Sequence, residues 1–181
     1  WDGERAGAWV AEIAGADVVI NAAGRSVNCR YNARNRAEMM ESRVRSTRAL
    51  REAIASAARP PRLWLQSSTA TIYAHRFDAA NDERTGIIGG GEPNAPDTWR
   101  FSIEVAKAWE AEALAAPLPS TRVVLMRSAM TMSPDRGGIF DVLLRLVRFG
   151  LGGTNGDGRQ FISWIHDEDF LGALRFVMSR E

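Results

Sequence analysis

With one cysteine, Cys29, in 181 residues, the chain cannot build an internal disulfide framework. Two histidines, His75 and His166, stand far apart without a second ligand at metal spacing, so no metal site is read from the chain. No apolar run approaches the roughly 18 residues of a membrane span, and no secretory leader is visible. A cytoplasmic location fits both absences. Neither sign of charge dominates, with 23 Lys+Arg against 22 Asp+Glu and a net charge of +1. That balance gives no bulk field for nucleic acid or an anionic membrane, and neither is expected as a partner. Lysine occurs once, as Lys107, and tyrosine twice, as Tyr31 and Tyr73. The other basic residues are scattered arginines, which we read as genomic base-composition bias.

What is present is ordinary for a globular protein: 45% hydrophobic and 25% charged residues, at a length that suggests one domain. Trp1-Asp-Gly opens without an initiator Met, and Met178-Ser-Arg-Glu181 falls within or just after a helix. Both ends look cut, so a partial domain is expected.

Hydrophobic periodicity divides the chain. Ala6 to Gly15 reads as a short helix. Asp17-Val-Val-Ile-Asn-Ala22 is a continuous β-branched run of the kind buried in parallel sheets. Gly24 breaks it, and Arg25 to Asn32 is a polar loop. Arg34 to Ala58 is a long helix ended by Pro60-Pro61, with Ala37, Met40, Val44, Leu50 and Ile54 on its apolar stripe. Leu63 to Ser67 is a strand. His75 to Pro96 is an irregular, glycine-rich excursion, after which Asp97 is expected to cap a helix ended by Pro117 and Pro119. Arg122 to Arg127 is a third strand. Ile139 to Phe149 is a helix expected to turn Phe140, Leu143, Leu144 and Val147 inward. Phe161 to Ile165 is a short strand, and Asp167 or Asp169 is expected to cap the last helix. Strands alternating with crossover helices predict an α/β fold with a mostly parallel sheet and helices on both faces.

The functional signal sits where strands end, because open parallel sheets bind ligands at their carboxyl edge. The second strand runs into Ser67, Ser68 and Thr69, which deliver small donor and acceptor groups there. These hydroxyls can bind a substrate carbonyl, or simply satisfy the local backbone. Ala22, Ala23 and Gly24 form a turn that can contact a cofactor or merely end a strand. Arg43 can reach a phosphate or ribose, or be one solvated arginine among Arg36, Arg45, Arg48 and Arg51. His75 is a proton carrier near Thr69 in sequence or a plain loop residue. Trp99, Trp109 and Trp164 are expected to pack, and the aspartates after His166 to cap a helix.

In order and spacing, these segments resemble the extended short-chain dehydrogenase/reductase family, also described as NAD-dependent epimerase/dehydratase. The resemblance covers Asn21-Ala-Ala-Gly24, Gln66-Ser-Ser-Thr-Ala-Thr-Ile-Tyr73, Arg127-Ser-Ala-Met130 and Trp164-Ile-His-Asp-Glu-Asp169. Arg43-Val-Arg-Ser-Thr-Arg48 and Ala108-Trp-Glu110 are similar to an atypical epimerase-family, or cell-division-inhibitor-like, subgroup. The resemblance implies a Rossmann-type doubly wound parallel sheet, incomplete here. Its glycine-rich phosphate turn would lie before Trp1, and most of a substrate lobe after the end. NADP or NAD is implied as cofactor, contacted by Ala22, Ala23, Gly24, Arg43, Ser67, Ser68, Ser128 and Ala129. Thr69 is implied as the catalytic hydroxyl.

The resemblance also implies a tyrosine base with a lysine four residues on. Aligning Glu110 with the family's acidic position puts Ser102 and Ala106 in those places; a shift by one puts Ile103 and Lys107 there. Neither register gives the pair. Hydride transfer on a small molecule or nucleotide sugar is the expected reaction class. The other expectation is a non-catalytic dinucleotide-binding module that senses redox state or binds proteins. A bare outer edge on the Asp17 to Ala22 strand makes a homo-oligomer a further expectation.

Overall fold

The computed structural model describes residues 1–76, 78–154, 156–159 and 161–180. It divides into two compact units, Trp1–Arg127 and Ser128–Glu181.

The first unit carries α1 (Val10–Ile13), β1 (Val18–Asn21), α2 (Ala33–Ser56), β2 (Leu63–Thr69), a 3-10 turn (Ala70–Ile72), α3 (Asp97–Ala113) and β3 (Arg122–Ser128). Its sheet has the order β1-β2-β3. β1 and β2 run parallel in a register from Val18 opposite Leu63 to Asn21 opposite Gln66. A parallel pair needs a crossover, and α2 supplies it. β2 is the middle strand, and its residues Leu63 to Gln66 are all buried, as a strand covered on both faces must be. Ile13, Val19, Leu50, Ala53, Ile54, Trp64 and Ala113 form the core.

The helices begin and end where local chemistry allows. Asn32 caps α2 by accepting the Asn35 amide at 2.9 Å, one residue earlier than the apolar periodicity suggests. The helix ends at Ser56, ahead of Pro60-Pro61. Asp97 is not a cap: Pro96 holds that position, and the Asp97 carboxylate pairs instead with Arg36 on α2. The helix expected over Ala6 to Gly15 is one turn.

The second unit carries β4 (Met130–Met132), α4 (Ile139–Arg148), β5 (Trp164–His166) and α5 (Asp167–Ser179). β4 and β5 form a parallel pair with Met130 opposite Trp164. β4, only three residues long, leaves no periodicity in the sequence, and β5 begins three residues later than expected. No described residue of this unit is fully buried. The inward placement of Phe140, Leu143 and Val147 is therefore corrected: Val147 is 63% exposed, and Phe140 and Leu143 are also open to solvent. Two three-residue strands are too narrow to cover an apolar helix stripe. Trp164, expected to pack, is 61% exposed at the start of β5. At the start of α5 the cap is His166, whose Nδ1 accepts the Glu168 amide at 3.3 Å, with Asp167 Oδ1 sharing it at 2.9 Å. No helix among the described residues is long and apolar enough to cross a membrane.

Candidate functional site

α2 follows β1 and α3 follows β2, so their first turns lie toward the carboxyl edge of the sheet, with the loops that precede them. At the end of β1, Asn21 is fully buried. Its Nδ2 donates to Gln66 Oε1 at 2.9 Å and Thr47 Oγ1 at 3.2 Å, and its Oδ1 accepts the Ala23 amide at 3.0 Å. Trp109 Nε1 donates to the same Thr47 hydroxyl at 3.0 Å. This network fixes the turn Ala22–Gly24 and leaves Ala22 and Gly24 exposed.

Arg43 lies under that turn. A Cβ built on Gly24 would come within 3.1 Å of the Arg43 side chain, so any larger residue there would make Arg43 shift by a few tenths of an ångström. Arg43 Nη1 donates to the carbonyls of Arg25 and Met39, both at 3.1 Å, and the guanidinium sits 5.1 Å from the Trp109 ring centroid. Every other arginine of α2 pairs with a carboxylate: Arg34 with Glu38, Arg36 with Asp97, Arg45 with Glu4 and Glu41, Arg48 and Arg51 with Glu112. Among the described residues no carboxylate pairs with Arg43. Burial pulls its pKa below the ordinary arginine value, and the nearby Tyr31 phenol opposes that pull. Arg43 is thus a half-buried guanidinium and not one of a solvated row.

The hydroxyl run at the end of β2 splits by strand alternation. Ser68 points inward, is buried, and donates to Glu110 Oε1 at 2.5 Å. Glu110, 7% exposed, also takes two bonds from Arg127, both 2.8 Å. Arg127 Nη1 donates to the Tyr73 hydroxyl at 2.9 Å, with its guanidinium 5.1 Å from the Tyr73 ring centroid. Hydrogen bonding to Glu110 raises the Arg127 pKa, its burial notwithstanding. Ser67 and Thr69 are partly exposed. The Thr69 hydroxyl donates to Thr71 Oγ1 at 3.0 Å and accepts the Thr71 amide at 3.2 Å, capping the 3-10 turn.

On α3, Ser102 donates to the Thr98 carbonyl at 2.8 Å, and Ala106 is fully buried. Lys107 is turned to the glycine loop, its Nζ 3.3 Å from where a Cβ on Gly90 would stand. His75 packs edge-on against Trp99, centroids 5.7 Å apart. Ser128 and Ala129 belong to the second unit, at the end of β3 and just past it. The Glu110–Arg127 pair and the edge-on packing of Tyr31 against Phe101 of α3, centroids 6.0 Å apart, are the features sequence reasoning missed. The signal for the first was a carboxylate inside the apolar stripe Ile103, Ala106, Trp109, Ala113 of α3.

The sequence matches the profile of the NAD dependent epimerase/dehydratase family over residues 2–181. It is 35% identical over 167 residues to the bovine epimerase family protein SDR39U1, covering 90% of this chain and 52% of that protein. The crystal structure of human SDR39U1 isoform 2 with NADPH superposes with a TM-score of 0.81 at 31% identity, over 94% of this chain and 56% of that one. A nucleoside-diphosphate sugar epimerase from Corynebacterium glutamicum superposes at 0.69 with 26% identity, over 97% and 34% of the two chains. The fold is thus a partial Rossmann-type fold, and the chain spans about half the length of the curated relatives it matches.

Proposed function

The chain belongs to the NAD dependent epimerase/dehydratase family, and from that premise we propose that it forms part of an NADP- or NAD-binding oxidoreductase acting on a small molecule such as a nucleotide sugar. The observation that carries the proposal is Arg43: a half-buried guanidinium with no carboxylate, lying under the Gly24 turn at the sheet's carboxyl edge. The Arg25 and Met39 carbonyls meet one end of this partly desolvated cation, through Nη1, and no carboxylate balances its charge. A dinucleotide brings phosphates and ribose hydroxyls to such an edge, and the donors present fit it: Arg43 N–H groups, the backbone of Ala22, Ala23 and Gly24, and the Ser67 hydroxyl. The human relative's structure with NADPH and the sugar-nucleotide relative support the cofactor and substrate class.

When bound, the dinucleotide supplies hydride exchange at its nicotinamide; the remaining work falls to this chain. Arg43 and the Ala22–Gly24 turn hold the cofactor. Ser68 does not reach outward: Glu110 holds it, and it braces the strand end from below. Thr69 orients a substrate oxygen once its proton leaves Thr71, an exchange of one hydrogen bond for another. Ser128 and Ala129 remain cofactor contacts on the strength of the sequence resemblance alone.

A second reading, a dinucleotide-binding module without catalysis, is favoured by Ser102 and Ala106 standing where a tyrosine and a lysine would serve. Calorimetric titration of NADPH and NADH into the full-length protein tests the first claim. Dissociation constants of about micromolar or tighter for one of them are expected. No heat with either, from folded protein, overturns it. Binding without hydride exchange to a carbonyl and sugar-nucleotide panel selects the second reading.

A further inference from the structure

Two hydroxyls at the end of β2 hold each other. Thr69 Oγ1 accepts the Thr71 amide at 3.2 Å and donates to Thr71 Oγ1 at 3.0 Å. The cap of the 3-10 turn needs only the Thr69 oxygen and the Thr71 amide, so the Thr71 hydroxyl is not spent on the fold. It accepts from Thr69, and among the described residues nothing accepts its own proton. Both threonines are partly exposed, while Ser68 and Ile72 beside them are buried. The pair is fixed from both sides. Before it, Ser68 donates to Glu110 at 2.5 Å. After it, the Tyr73 amide donates to the Ala70 carbonyl at 3.2 Å and the Gly89 amide to the Ile72 carbonyl at 2.9 Å, while the Tyr73 hydroxyl accepts from Arg127 at 2.9 Å. Two hydroxyls 3.0 Å apart are thus held at the carboxyl end of the middle strand, where open sheets bind ligands.

Each hydroxyl carries one proton. When Thr69 turns its proton from Thr71 to a substrate oxygen, both protons of the pair need acceptors outside it. A lone oxygen satisfies one of them. Oxygens on adjacent carbons, as in a vicinal diol, an α-hydroxy ketone or a 1,2-dione, stand about one hydrogen-bond length apart when they lie on the same side, and they satisfy both. We propose that Thr71 is a specificity-determining residue that reads the oxygen next to the reacting one, so that the site selects substrates with oxygens on adjacent carbons. The inference rests on the oxidoreductase reading above. Thr69 keeps the reacting oxygen; Thr71 donates a hydrogen bond and transfers neither proton nor hydride. A site that hydrogen-bonds a substrate group rejects the analogue lacking it, because its own donor is then left unpaired.

Calorimetry with NADPH and NADH on the full-length protein comes first; no binding by folded protein overturns the parent reading and this inference with it. Two carbonyl probes are then reduced with the dinucleotide that binds. Phenanthrenequinone has two oxygens locked on adjacent carbons, and 4-nitrobenzaldehyde has a carbonyl with no oxygen beside it. Thr71→Val keeps the shape and the cap and removes only the hydroxyl. The ratio of kcat/KM for the quinone to that for the aldehyde is expected to fall about tenfold or more in this variant, and Thr71→Ser is expected to restore it. The ratio cancels any general change in the turn or the cofactor site, which would lower both rates together. An unchanged ratio in Thr71→Val, a fall that the serine does not recover, or a wild type that binds dinucleotide yet fails to reduce either probe overturns the assignment and leaves the dinucleotide site standing.

Discussion

A single buried carboxylate joins three elements of the first unit. Glu110 on α3 holds Ser68 of β2 and Arg127 of β3, and Arg127 reaches on to Tyr73. Charges inside a protein are tolerated only when paired and hydrogen-bonded, and all of Glu110's bonds are made. Glu110→Gln keeps the shape but opposes an amide N–H to a guanidinium N–H and leaves the Arg127 charge uncompensated. A loss of about 3 kcal/mol in unfolding free energy is expected, read from the urea midpoint with an unchanged slope. A variant as stable as the parent would mean the pair is replaceable. The sequence hinted at this residue only by placing an acid among apolar neighbours; its partners lie 42 residues before it and 17 after it, at separations no local pattern can encode.

The two long helices of the first unit are fastened by a second carboxylate. Glu112 of α3 takes bonds from Arg48 and Arg51 of α2 between 2.8 and 3.2 Å. The Arg48 hydrogen bond is the largest cause holding the Glu112 pKa below its ordinary value of 4.5, with Arg51 adding to it. A carboxylate whose folded pKa is depressed stabilises the fold above the unfolded value, and the contribution fades as pH falls through the folded one. Glu112→Gln should therefore narrow its stability deficit against the parent as pH drops below about 4.5, and show a constant deficit above about 6. Thermal unfolding across that range checks it; a deficit independent of pH would exclude the linkage. Element boundaries were largely legible: β1, α2, β2 and β3 fall within one or two residues of the sequence reading. The hydroxyls of Ser67, Ser68 and Thr69 were legible as a group, but only the pleat and the position of α3 separate the buried one from the other two.

Across the chain the two units differ in how much they bury. The first places β2 and the facing sides of α2 and α3 out of water; the second has no fully buried residue among those described. Amide protection follows burial and shared hydrogen bonding. Hydrogen–deuterium exchange of this 181-residue chain should therefore leave residues 63–66 protected long after residues 139–148 have exchanged. Equal protection would mean that the apolar stripe of α4 is covered in solution. Ile20, at 53% exposure, is the corresponding open apolar position on β1, which pairs only with β2 among the described residues.

Periodicity, turn residues and the order of strand-end motifs determined the α/β class, the elements of the first unit and the family, because each is written in residues close together along the chain. Tertiary structure alone decided which polar groups are spent on the fold and which are left for a ligand. Ser68 goes to Glu110 and Tyr73 to Arg127, while a crossover helix brings Arg43, without a carboxylate, under the Gly24 turn at the carboxyl edge. Hydrogen-bond satisfaction and desolvation act through space, so a chain read in one dimension can name the groups but cannot assign their partners.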